Sequence, residues 1–133
     1  MVALTRDRNT PERSGEDFAF PVAGGVQVFA GALVVLEAGF AKPGEAGEGL
    51  AMAGRAEAQI DNRLGEDGDA HVRVRLGVFR FANGEGADRI EMTDVGSDAF
   101  VLDDQTVGKV GEGRSKAGRV MDVDAQGVWV KLG

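Results

Sequence analysis

Cysteine is absent from the 133 residues, which excludes disulfide staples, thiolate metal sites and a cysteine nucleophile together. Tyrosine is absent too, and tryptophan occurs once, at Trp129. Little aromatic surface is left for a sugar ring to stack on. The apolar stretch Phe29 to Leu36 is interrupted by Gly31 and falls far short of the ~20 residues a membrane-spanning helix needs. A soluble chain without a membrane partner is expected. Positive charge is also short: 15 Lys and Arg stand against 22 Asp and Glu, for a net charge of −7. The basic residues are scattered rather than gathered into a stripe with aromatics, so no nucleic-acid partner is expected.

Catalytic constellations are equally scarce. General acid–base chemistry usually recruits His or a tuned carboxylate. The single histidine, His71, opens an alternating segment on its polar face, where a solvated edge residue is expected. Ser14, Ser97 and Ser115 lie in polar or glycine-rich surroundings, and none forms a G-x-S-x-G elbow. The acidic groups Glu66-Asp67-Asp69, Asp103-Asp104 and Asp122-Asp124 lack the D-x-[DN]-x-[DN]-G spacing of a calcium loop. No G-K-[ST] follows the glycine-rich stretches Gly44 to Gly49 and Gly108 to Gly113. These readings predict no enzyme, no metal and no cofactor.

Glycine, by contrast, is plentiful: its 21 residues punctuate short apolar runs, the texture of an all-β sandwich or barrel. Strands are predicted at Phe18 to Val22, Val26 to Phe29, Leu33 to Glu37, Leu50 to Gln59, His71 to Phe81, Phe100 to Leu102, Gly118 to Asp124 and Val128 to Leu132. Ala23-Gly24-Gly25, Ala38-Gly39 and Ala125-Gln126-Gly127 read as tight connections, and Asn62 to Asp69 and Gly111 to Lys116 as exposed loops. Glu45 to Ile60 could be drawn as a helix, but Gly47, Gly49 and Gly54 would each cost ~1 kcal/mol there; a loop followed by a strand is preferred. A short helical turn is expected within Asp94 to Ala99.

Within His71 to Phe81, Val72, Val74 and Leu76 alternate with His71, Arg73 and Arg75, and the parity changes after Gly77 to favour Phe79 and Phe81. Either a bulge at Gly77-Val78 restores one core face, or the strand bends and serves two. The length suggests a single core.

The first seventeen residues, Met1 to Asp17, have only Val2, Ala3 and Leu4 as apolar side chains after Met1, and seven charges. Such a segment cannot bury enough apolar area to offset the entropy of ordering it. It reads as a frayed tail or as an arm that folds against a partner, leading into a β-rich body from Phe18 to Gly133. It has no continuous apolar run after Met1, because Arg6, Asp7 and Arg8 follow at once; no secretory signal is expected, and synthesis in the cytoplasm follows. Trp129 is a candidate subunit contact, an environment in which tryptophan is enriched.

The run Phe20 to Pro43, FPVAGGVQVFAGALVVLEAGFAKP, the later G-R-A-E, the V-R-V-R-L-G-V-F-R-F-A-N segment, the terminal D-V-D-A-Q-G-V-W-V-K-L and the arm L-T-R-D-R-N-T-P together resemble the head decoration, or capsid cement, proteins of Mu-like phages and prophages. The resemblance covers nearly the whole chain and rests on structural motifs in order. It implies a small β-barrel-like domain with an extended N-terminal arm, a homotrimer on the outer surface of the virion head, bound to the major capsid protein after synthesis in the bacterial host. It brings no catalytic residue. It implies a clamp role for the arm residues Leu4, Thr5, Arg6, Asp7, Arg8, Asn9, Thr10 and Pro11. A β-barrel module binding a host surface or carbohydrate is the alternative.

Overall fold

A computed structural model describes residues 2–10 and 13–133 and shows a mainly β protein. Its strands are β1 (Asp17–Pro21), β2 (Gln27–Val28), β3 (Leu33–Glu37), β4 (Phe40–Pro43), β5 (Ala51–Ala56), β6 (Ile60–Asp61), β7 (His71–Arg75), β8 (Val78–Asn83), β9 (Asp98–Val101), β10 (Thr106–Gly108), β11 (Lys116–Asp124) and β12 (Gly127–Leu132). Five form an antiparallel sheet in the order β1-β7-β5-β3-β4, five close into a barrel in the order β10-β8-β12-β11-β9, and β2 pairs with β6 in a small ribbon.

The parity change at Gly77 marks a passage between these two bodies. Val72 and Val74 of β7 are buried in the core of the first sheet, whereas Phe79 and Phe81 of β8 pack into the barrel. His71 to Phe81 is therefore two strands in different sheets, and no bulge is needed to reconcile them.

Two buried clusters result, where one core was expected. The reason lies in β3, whose Leu33, Val34 and Val35 are all fully buried. Side chains alternate across a strand, so Val34 points into the first sheet's core while Leu33 and Val35 join the barrel's. Met52 of β5 packs on the barrel side as well, and the Arg55 guanidinium lies 4.2 Å from the Phe79 ring centroid. Such a cation over an aromatic face is favourable, more so when partly desolvated.

The two bodies repeat one plan. Leaving the β2–β6 ribbon aside, the chain order of neighbours is first, fifth, fourth, second, third in both. The first sheet also curls toward closure, because Val22, just past β1, bridges Ala41 of β4 in parallel, as Asn83 of β8 faces Val107 of β10 in the barrel. Registers coincide: Phe18 and Phe20 face Val74 and Val72 as Phe79 and Phe81 face Val130 and Val128. The irregularity between second and fourth strands is also shared. Gly54 faces Val34 and Met52 faces Val35, skipping Ala53, just as Gly118 faces Ala99 and Lys116 faces Phe100, skipping Ala117. Ala53-Gly54-Arg55 and Ala117-Gly118-Arg119 are thus the same bulge in two copies.

Several local expectations shift. β4, β6 and β10 lie in stretches not read as strands, the helical turn falls at Met92–Asp94 rather than within Asp94 to Ala99, and a further 3₁₀ turn occupies Gly86–Asp88. Ala38-Gly39 is the tight hairpin connection, with φ of 51° and 84°, the pair of positive values that a type I′ turn demands. Between β11 and β12 the connection is Ala125-Gln126, and Gly127 already pairs with Asp124 as the first residue of β12.

Candidate functional site

The arm enters the body at Glu16, whose carbonyl accepts the Leu76 N–H at 2.7 Å and whose carboxylate stands 4.0 Å from Arg75. Before that point no strand is formed among the described residues. Leu4, Thr5, Arg6, Asp7, Arg8, Asn9 and Thr10 are all exposed, and Val2 and Leu4 are 92% and 70% exposed. Pro11, with Met1 and Glu12, lies outside the described residues. None of the described arm residues belongs to either buried cluster.

Trp129 is remote from the arm in sequence and sits on the outer face of the barrel, half-buried on β12. Its neighbours across the sheet are Arg80 on β8 and Asp122 on β11. Asp124 fixes it. One carboxylate oxygen of Asp124 accepts the backbone N–H groups of Gln126 and Gly127 at 2.8 and 3.1 Å, and the other accepts the indole Nε1–H at 2.9 Å. The Arg80 guanidinium lies 5.5 Å from the Trp129 ring and 3.7 Å from Asp124. The indole hydrogen bond first, then the Gln126 N–H, holds the Asp124 carboxyl below its ordinary range. A second break in register, between Val120 and Asp122, leaves Met121 and Asp122 both exposed beside Trp129. With Val78 on β8, this face carries three apolar side chains among charged ones.

Rigidity around these surfaces comes from polar pins that residue types alone did not reveal. Ser115, read as a loop residue, is buried; its hydroxyl accepts the Leu50 N–H at 2.9 Å and donates to the Gly47 carbonyl, tying the first body to the barrel. Asn62, placed in an exposed loop by its sequence, is buried and donates from Nδ2 to the carbonyls of Val22, Ala23 and Glu66 at 3.0–3.2 Å. Arg114 forks onto Asp88, and that hydrogen-bonded guanidinium holds the Asp88 carboxyl low. A carboxamide or hydroxyl in a glycine-rich stretch looks like turn chemistry; only the packing tells which one is buried.

His71 is exposed and pairs through its backbone with Pro21. Among the described residues, no group of three or more His, Asp and Glu side chains is arranged to hold a metal ion. An open, polar depression at the barrel rim is lined by Asn83, Glu85, Arg89 and Gln126 among others. Among the described residues the chain therefore presents an exposed arm segment and a partly apolar barrel face around Trp129. No family model, curated protein or solved structure matches the chain.

Proposed function

We propose that this chain is a structural protein of a tailed-phage virion, a decoration protein that binds the outside of the assembled head and bridges neighbouring major capsid protein subunits as a trimer. It acts without catalysis or cofactor. The observation that carries this reading, beside the sequence resemblance, is the contrast between a pinned β body and an exposed arm that leads out of β1. An arm of this kind covers much surface per residue and loses its conformational entropy only on assembly. Arg6, Asp7, Arg8 and Arg13 offer pairing with a mixed-charge shell, but exposed ion pairs contribute only ~0–1 kcal/mol each. The main contribution is strand addition by the arm backbone. Repetition over a symmetric shell then multiplies weak contacts into large avidity.

The test is occupancy on purified heads. Removing residues 1–13 keeps the Glu16 to Leu76 bond and both buried clusters, so the truncated chain is expected to fold with an unchanged melting temperature and to lose most of its occupancy. Full occupancy without the arm would defeat the clamp role. Absence of the intact chain from the outer surface of heads would defeat the decoration reading itself.

A further inference from the structure

The repeated plan exposes a difference between its two copies. Arg55 and Arg75 face each other between β5 and β7, and the equivalent places in the barrel hold Arg119 and Lys131. Like charges directly opposite each other are unfavourable in a sheet. The first body neutralises its pair, with Arg55 on Glu57 at 2.9 Å and Arg75 near Glu16 at 4.0 Å. The barrel does not: among the described residues neither Arg119 nor Lys131 has a carboxylate within ion-pair distance. Asp98, opposite Arg119, is taken by Lys116 at 3.3 Å. Asp124 is held by Trp129 and Arg80, and Asp122 turns to the Val123 N–H at 2.8 Å. Beside this bare basic pair lie the half-buried Trp129 and the exposed Met121 and Val78, where the first body's equivalent positions to Trp129 and Val78 carry Arg73 and Asp17. The barrel face is an apolar patch with an unneutralised basic edge, in a chain whose net charge is −7.

The complementary surface is on the same chain. Leu64 is fully exposed at the tip of the loop between β6 and β7. Single exposed leucines are ordinary; this one is held out on a fixed loop. Asn62 ties that loop to three carbonyls, Asp67 accepts the Gly24 N–H at 2.8 Å, and Asp69 accepts the Glu66 N–H at 2.9 Å. Arg63 spends its charge on Asp61 in a bidentate pair at 2.7 and 2.9 Å. Glu66 and Asp67 both remain exposed next to the leucine, Asp67 with one carboxylate oxygen engaged by the Gly24 N–H and the other open.

We propose that the chain self-associates head to tail, the Leu64 loop of one copy inserting its leucine against Trp129, Met121 and Val78 of a second copy while Glu66 and Asp67 meet Arg119 and Lys131. The opposed charges select this occupant, and the pinned loop lowers the ordering cost of docking. A contact between two different surfaces of the same chain is heterologous, and it closes a ring when the rotation permits. The contact deepens the oligomer of the proposed function, resting on that reading only for the trimer number.

The test uses the intact chain in solution without heads. The plug variant Leu64→Asp and the socket variant Met121→Glu both alter exposed side chains, and unchanged thermal melts verify their fold. Sedimentation velocity is expected to show the wild type associating above its monomer mass of 13.9 kDa. Each variant alone is expected to remain monomeric, with association weakened roughly thirtyfold or more. Mixed together they are expected to form a 1:1 dimer and nothing larger, because each retains one working surface. A wild type that stays monomeric at its solubility limit, a variant that keeps the wild-type mass, or a mixture without a dimer would overturn the contact. None of these outcomes concerns head attachment, which the occupancy measurement reads separately.

Discussion

Gly54 and Gly118 occupy the same place in the two halves of the molecule, each on the fourth strand of its unit and each pressed against a carbonyl of the fifth. A Cβ at 54 would stand 2.8 Å from the Arg75 oxygen, and one at 118 would stand 1.9 Å from the Lys131 oxygen. Both contacts are with backbone, which cannot rotate away.

Alanine at either position is therefore expected to destabilise the fold. Gly118→Ala and Gly54→Ala should each cost about 3 kcal/mol, the upper part of the usual range for overpacking, the first through the shorter approach and the second through its contact together with a φ of 141° that suits only glycine. Urea unfolding of the two variants checks both losses, and a harmless Gly118→Ala would contradict the close approach.

The opposite sign is expected at Ala38. Its φ of 51° is a left-handed value, which costs an L-residue with a Cβ about 1–2 kcal/mol. Ala38→Asn, giving Asn-Gly in a type I′ hairpin, should raise stability by about 1 kcal/mol, seen as a higher urea midpoint with an unchanged slope.

Asn62→Ala removes the donor shared by the carbonyls of Val22, Ala23 and Glu66. The expected loss is about 2–3 kcal/mol, that of leaving buried acceptors unpaired. Because the same amide fixes the Leu64 loop, amide exchange should quicken over residues 63–69 before the barrel is affected.

Acid should lower the stability of the protein through depressed carboxyls. Arg63 holds Asp61 down to about 2, and Arg114 holds Asp88 low. A folded pKa below the unfolded one contributes stability that is fully present above the unfolded value, about 3.9, and is lost as pH falls through the folded value. For Asp61 that window runs from about 4 down to about 2. Asp88→Asn should lower stability at neutral pH and flatten its fall in acid, as denaturant titrations across that range would record.

Much of the β architecture was legible because strand chemistry is local. The alternation of Val72 and Val74, the tight connection at Ala38-Gly39, and the run Leu33 to Glu37 each carry their own signal, and all three form as expected. Short strands were not legible. Phe40–Pro43, Ile60–Asp61 and Thr106–Gly108 have too few residues to show a period of two, and they are strands because neighbours pair with them. The internal repeat was written in the sequence as F-x-F followed by A-G-R, Phe18-Ala19-Phe20 with Ala53-Gly54-Arg55 and Phe79-Arg80-Phe81 with Ala117-Gly118-Arg119. Connections of unequal length between equivalent strands hid any fixed period. Of the site, the arm was visible as a charged segment poor in apolar residues, and Trp129 stood out by its rarity. The loop that carries Leu64 was legible as an exposed loop, but nothing local singled out its leucine, Arg119 or Lys131.

By itself the sequence determined the material: a cysteine-free, acidic chain with glycine-punctuated strands and a leading arm. Those properties are set by composition and by spacing along the backbone. The tertiary structure decided that there are two cores and that Val34 serves one while Leu33 and Val35 serve the other. It also decided that one basic pair is neutralised while its counterpart beside Trp129 has, among the described residues, no carboxylate within ion-pair distance. Both depend on which strands meet across the fold, and that is a matter of non-local pairing which no window of neighbouring residues contains.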